Sequence, residues 1–392
     1  MDYKDIISKK NSYDKLEKFT ILEILMKLLS KLYKLNKVIF EYALYANFVD
    51  YLKYICLKVY YENREIKEAD PQIFRAFASL MDNLKMTEYI DFDNKVLKLK
   101  AEFVQSGESL EKEVKFSSYI RKLYKSYRFI IERQEETELF KTPTAKYIYY
   151  LIVYTRELEK INLGKKISPS FHESFYTDLG EVAFKLFNKP NYKKILPDLK
   201  VGNILDVGCG NGNFIDTYLE YNSSTIIYGV ERQVQVCNKL NEKYQQISNV
   251  KIINEDVTQL KIQNKFDIVN ISYMLFYLSK EQQEDLLSSL HDLLSENGKI
   301  TICQYFPNIE DIQMRIAIND RGWSKIDRYK FKISNAILYS EVLLNDGLAD
   351  FDHASRFDEF CEIINTAGLM IESIEKADNN YYSFYFVLSK SN

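Results

Sequence analysis

The stretch from Asn203 to Phe214, N-I-L-D-V-G-C-G-N-G-N-F, decides the fold of this chain. Ile204, Leu205 and Val207 form a short apolar run of the kind that makes a buried parallel strand. Asp206 stands where that strand ends. Gly208, Gly210 and Gly212 then free the backbone to turn sharply and to come close to a ligand. A helix is expected from Asn213 through Phe214, Ile215 and Leu219. Strand, glycine-rich turn and helix, in that order, form the edge at which an open α/β sheet binds nucleotides.

Outward from this stretch the pattern repeats. Ser224 to Val230 reads as a second strand closing at Glu231, and Val250 to Asn254 as a third closing at Glu255-Asp256-Val257. An acid roughly 20 residues beyond a glycine loop is the expected acceptor for ribose hydroxyls. Further strands are expected at Phe266 to Ile271 and Ile300 to Cys303, with a helix from Glu281 to Leu294 between them. The ending reads as a helix (Phe357 to Ala367) and two strands (Gly368 to Ile374, Tyr382 to Leu388).

These residues resemble the class I S-adenosylmethionine-dependent methyltransferases from about Pro197 to the C-terminus. The family's glycine motif is matched by Asp206, Gly208, Gly210 and Gly212, its ribose acid by Glu231, and its adenine-contacting pair by Asp256 and Val257. The resemblance implies S-adenosylmethionine as cosubstrate, with Phe214, Arg232 and Ser272 completing its site. It also implies a Rossmann-like α/β sheet closed by an antiparallel pair. The loop spacing G-x-G-x-G and the acid after the third strand separate this pattern from a nicotinamide-binding fold.

The opening half differs in character. Only Gly107 precedes Gly164 among the twelve glycines, and Pro71 and Pro143 are the prolines of that half, so a mostly helical domain over 1–163 is expected before a catalytic domain over 164–392. Ile21, Leu22, Leu25, Leu28, Leu29, Leu32 and Leu35 recur at helical spacing. Asp70-Pro71 reads as a cap and first-turn proline. The helix after it carries Phe74, Phe77, Leu80, Met81 and Leu84 on one side, and a β-hairpin comes next, from Tyr89 to Leu99. Helix plus hairpin is winged-helix shape. Arg75 and Lys85 are too few cations for a DNA reader. The pattern is similar to the degenerate winged helix that joins subunits in small-molecule O-methyltransferases, which implies a homodimer.

Composition narrows the classes further. The formal net charge of −3 argues against nucleic acid or an anionic membrane as partner. No uncharged apolar run approaches the roughly 18 residues a bilayer span needs. The five cysteines are scattered without metal-ligand spacing, which fits a reducing cytoplasm. Cys209, inside the glycine loop, reads as a small filler. The tyrosine-rich residues 115–160 read as linking helices.

The chemistry turns on the residues just past the fourth strand. Plant-type O-methyltransferases place a general-base histidine there, in a His-Asp-Trp sequence. Here the matching residues run Ser272-Tyr273-Met274-Leu275-Phe276-Tyr277-Leu278, with Phe276 in the histidine's place. Phenylalanine cannot take a proton, and a positioned base is worth about 10²–10⁴-fold in rate. Either another residue is the base, or the acceptor arrives deprotonated, or alignment alone suffices. Tyr273, Phe276, Tyr277 and Phe175 are candidate aromatic walls around a sulfonium. His172, in the approach segment Ser168 to Tyr176, is the candidate base or acceptor contact. Residues between Gln304 and Arg356, with Trp323, Tyr329, Phe331, Tyr339 and Glu341, are expected to shape the acceptor pocket. Three functions remain open: methyl transfer to a small metabolite (a role in secondary metabolism), a cyclase that releases methylthioadenosine, and a non-catalytic binding protein.

Overall fold

The computed structural model describes residues 37–63, 66–104, 158, 160–166, 180–195, 202–306, 325–347, 354–377 and 383–391. The leucine stripe of residues 21–35, the tyrosine-rich stretch from 115 to 157, the approach segment with His172, and Trp323 lie outside the described residues. In chain order the main elements are α1 (Lys37–Glu62), α2 (Pro71–Asn83), β1 (Thr87–Asp91), β2 (Val96–Leu99), α3 (Lys189–Ile195), β3 (Asn203–Val207), α4 (Asn213–Tyr221), β4 (Ile226–Glu231) and α5 (Val234–Tyr244). Then come β5 (Val250–Asn254), β6 (Phe266–Ser272), α6 (Lys280–Leu293), β7 (Leu294–Gln304), α7 (Lys325–Asp346), α8 (Phe357–Thr366), β8 (Leu369–Lys376) and β9 (Phe384–Lys390). Among the described residues no helix is long and apolar enough to cross a membrane.

The chain forms two compact units, one of residues 1–182 with 325–350 and one of residues 183–324 with 351–392. In the first, Asp70 caps α2 by accepting from the Gln72 and Ile73 amides at 2.9 and 3.1 Å. Such a cap is worth about 1 kcal/mol. Ile73, Phe74, Phe77, Leu80 and Met81 are fully buried, as the spacing of the apolar residues requires. β1 and β2 form the antiparallel hairpin expected after this helix. α7 packs on α2 and α1. Its Ile337, Leu338, Leu343 and Leu344 are buried, and Asp346 accepts from Gln72 Nε2 at 2.8 Å. Residues that lie in sequence between two sheet strands of the second unit thus complete the core of the first.

The second unit is built on a seven-stranded sheet in the order β5-β4-β3-β6-β7-β9-β8. The strands from β5 to β7 are parallel, and β9 is antiparallel to both its neighbours. Short apolar runs joined by helices give this outcome, because parallel neighbours need crossovers that cover the sheet. Tyr192, Phe214, Ile215, Tyr218, Leu240 and Tyr385 share one core cluster. Phe386, one residue along and so on the opposite face, packs against Phe306 and Phe360 with ring centroids 5.4 and 5.1 Å apart. β7 starts earlier than expected, at Leu294 rather than Ile300. Leu294 already pairs with Phe266, and the ladder then shifts register. Gly298 fits this irregularity because a Cβ there would meet the Phe266 carbonyl oxygen at 2.7 Å.

Candidate functional site

The carboxyl ends of β3, β4, β5 and β6 carry the residues singled out from sequence. The glycine loop after β3 has Gly208, Gly210 and Gly212 at φ of +70°, +51° and +78°, the left-handed region where a side chain is strained. The three differ in surroundings. A Cβ on Gly208 would meet Met274 Cγ at 2.8 Å, and one on Gly212 would collide with the Tyr244 hydroxyl, whereas one on Gly210 meets nothing within 4 Å. The middle of the loop is therefore open. Its base is fixed by the Cys209 amide, which donates to the Val230 carbonyl at 2.9 Å. A Cβ on Gly229 of β4 would meet Cys209 Sγ at 2.9 Å, so the buried thiol fills the gap over a glycine. Burial pushes that thiol well up, consistent with its reading as filler.

Two acids stand beside the loop. Glu231, at the end of β4, accepts from the Gly210 and Gln233 amides at 3.2 and 2.9 Å. Asp206 is buried, accepting at Oδ1 from Asn270 Nδ2 at 2.7 Å. Its other oxygen, Oδ2, is buried with no hydrogen-bond partner among the described residues. Burial raises this carboxyl to about 7; the Asn270 hydrogen bond opposes the rise and the Glu231 charge adds to it. The other titratable groups facing Asp206 are Cys209, Tyr192 and Tyr244. All of them are acids.

The remaining predicted residues take up definite places. Phe214 is buried in α4, its ring centroid 5.1 Å from that of Tyr192. Asp256 caps the short turn that begins at Val257, accepting from the Thr258 amide and hydroxyl at 2.9 and 2.7 Å. Those bonds, with a smaller contribution from Arg232, hold its carboxyl below the usual range. Both Asp256 and Val257 are half-buried, and Arg232 is exposed. Ser272 Oγ lies 3.1 Å from the Tyr192 hydroxyl.

Tyr273 comes directly after β6 at φ +51°, a conformation costly for a large residue. Its hydroxyl accepts from Asn188 Nδ2 at 2.9 Å and bonds Ser383 Oγ at 2.6 Å. Asn188 ends a π-helical turn, Phe184–Asn188, ahead of α3. Phe276 is buried and stacks on Tyr305 at 5.3 Å, while Tyr277 beside it is exposed. His172 lies outside the described residues.

Asn270, Tyr192, Thr301, Asn188 and Ser383 escaped the sequence reading. A signal existed for one of them. Asn270 interrupts the apolar strand F-D-I-V-N-I-S, and a polar side chain in a strand buried on both faces needs a partner.

This donor set fits S-adenosylmethionine. An orphaned buried carboxylate oxygen whose titratable neighbours among the described residues are all acids suits the cationic group of a ligand. An open glycine loop with an acid on the next strand suits a nucleoside. A methyltransferase-domain family model matches residues 204–298, which span β3 through Gly298 and so include the loop and both acids. The chain is 29% identical over 132 residues to an uncharacterized protein of Haemophilus influenzae, covering 31% of this chain and 50% of that one. It is 32% identical over 112 residues to one of Rickettsia prowazekii, covering 26% and 42%. The chain thus spans about half the length, or less, of these curated relatives. A family 2 O-methyltransferase from Planctomyces limnophilus, solved in complex with apigenin, shares the fold with a TM-score of 0.51 at 12% identity, over 90% of this chain and 95% of that one. The chain thus carries a methyltransferase domain over residues 204–298, and its seven-stranded sheet has the Rossmann-like methyltransferase fold.

Proposed function

We propose that this chain transfers a methyl group from S-adenosylmethionine to a small-molecule acceptor without the usual general-base histidine after the fourth sheet strand, where Phe276 stands. The observation that carries this reading is the buried Asp206 carboxylate, whose second oxygen has only acids for titratable neighbours among the described residues, beside the open loop at Gly210. Asp206 supplies the anionic contact. The loop backbone lets the ligand approach, Glu231 accepts from the ribose, and Asp256 with Val257 borders the adenine. Phe214, Arg232 and Ser272 complete the set. When bound, S-adenosylmethionine supplies a methyl group already activated by its sulfonium.

The chain's own task is then orientation and exclusion of water. Buried Phe276 stacks on Tyr305 after β6, and the phenyl ring in the histidine's place cannot take a proton. This favours an acceptor that is nucleophilic without help, or one deprotonated by a residue outside the described set, such as His172. The hairpin after α2 supports a winged-helix-like first domain and a homodimer, which sedimentation of the whole chain would check.

The test is to incubate the protein with S-adenosylmethionine and a fractionated metabolite extract and identify the adenosyl product. S-adenosylhomocysteine formed with a methylated acceptor supports methyl transfer. Methylthioadenosine would replace it with a cyclase, and unconsumed but bound ligand with a binding protein.

A further inference from the structure

Asn270 lies mid-sheet, and the strand register sets Asp206 beside it on β3 and Thr301 beside it on β7. The three make a polar row across three buried strands whose next registered set, Leu205, Val269 and Ile300, is apolar. The amide of Asn270 is held in one orientation. Its Oδ1 accepts from the Tyr192 hydroxyl and from Thr301 Oγ1 at 3.1 Å, and its Nδ2 donates to Asp206 Oδ1 at 2.7 Å and Ser272 Oγ at 3.2 Å. A flipped amide would set a carbonyl oxygen against a carboxylate and leave two hydroxyl protons without that acceptor. Tyr192 is itself fixed, fully buried with its ring centroid 5.1 Å from Phe214 and 4.4 Å from Tyr385.

We infer that Asn270, oriented by Tyr192 and Thr301, is a positioning residue that fixes the Asp206 carboxylate as the anionic contact for bound S-adenosylmethionine. This inference rests on the cosubstrate reading above and adds residues to it. Its physical content is that a buried carboxylate needs a donor to stay ionised, and among the described residues Asn270 is the side-chain donor to Asp206. Among the described residues the titratable groups facing Asp206 are Glu231 from β4, Cys209 from the loop, Tyr192 from α3 and Tyr244 from α5, and none of these is a cation that could substitute for the amide.

The test is S-adenosylmethionine binding by calorimetry from pH 6 to 9 with wild type, Asn270→Leu and Tyr192→Phe. Asn270→Leu is expected to bind roughly tenfold more weakly at pH 7, the scale of a lost hydrogen bond to a charged group, and to recover much of the deficit by pH 9. Tyr192→Phe, which keeps the packed ring, should shift the profile the same way by less. Loss that is equal at every pH, or profiles that overlay wild type, would overturn the inference while leaving the binding reading intact. A wild type that does not bind would overturn both. Should Asn270→Leu fail to fold, the Tyr192→Phe profile decides alone.

Discussion

The Gly210 amide donates to Glu231 Oε2 at 3.2 Å, so the open middle of the glycine loop and the acid ending the next strand are joined directly. Glu231 also takes the Gln233 amide at the start of α5. One carboxylate thus fixes the loop and the helix entry, and in the proposed function it also meets the ribose. Glu231→Ala should weaken S-adenosylmethionine binding by about 1.5–3 kcal/mol, the scale of charged hydrogen bonds. Glu231→Gln, which keeps one acceptor, should lose less. Calorimetry on both, with circular dichroism to confirm folding, checks the order.

The loop glycines should separate binding from stability. Gly210→Ala adds a methyl group where there is open space, at a backbone cost of about 1–2 kcal/mol, and should lower cosubstrate affinity out of proportion to its effect on Tm. Gly212→Ala meets Tyr244, whose hydroxyl donates to Gly212 O at 3.1 Å and Asp216 Oδ1 at 2.8 Å, and Leu240 Cδ2 at 3.1 Å. It should unfold at markedly lower temperature. Thermal melts with and without ligand distinguish the two.

Much of this was legible in the sequence because it is local. The first glycine strand and its loop, β5 at Val250–Asn254, the capped helix α2 and the hairpin all come from periodicity and turn chemistry within a few residues. The start of β7 was not, because Leu294 pairs with Phe266 only through an irregularity that Gly298 tolerates. Nor was the placement of α7, whose apolar face has the same period whichever unit it covers. The Tyr192–Asn270–Asp206 network depends on strand register between segments more than 60 residues apart. Such contacts exist only once the sheet has formed.

The apo protein should lose stability as pH rises from about 4 towards 7. Asp206 titrates near 7 when folded and near 3.8 when unfolded, so the folded state holds its proton more tightly. Its stabilising contribution is full below the unfolded value and is lost as pH climbs to the folded one. The difference amounts to at most about 4 kcal/mol. Glu341, raised by burial to about 8, acts with the same sign. Asp206→Asn removes the first contribution only. Its Tm should therefore exceed wild type at pH 8 by more than at pH 5.

Phe276→His tests the aromatic wall. A histidine placed against Tyr305 at a buried position should cost about 1–3 kcal/mol in stability. It should change S-adenosylmethionine affinity by no more than a few-fold, because the proposed function sets this wall on the acceptor side. Complete loss of cosubstrate binding in a folded variant would place the ring against the cosubstrate instead.

The most direct measurement titrates the wild-type protein and Asp206→Asn with S-adenosylmethionine at pH 8, where the wild-type carboxylate is ionised. The account predicts saturable binding to wild type and at least roughly tenfold weaker binding to the variant, since a buried anion and its cationic ligand are separated. Equal affinity in both, or no binding to wild type at millimolar ligand, would contradict it.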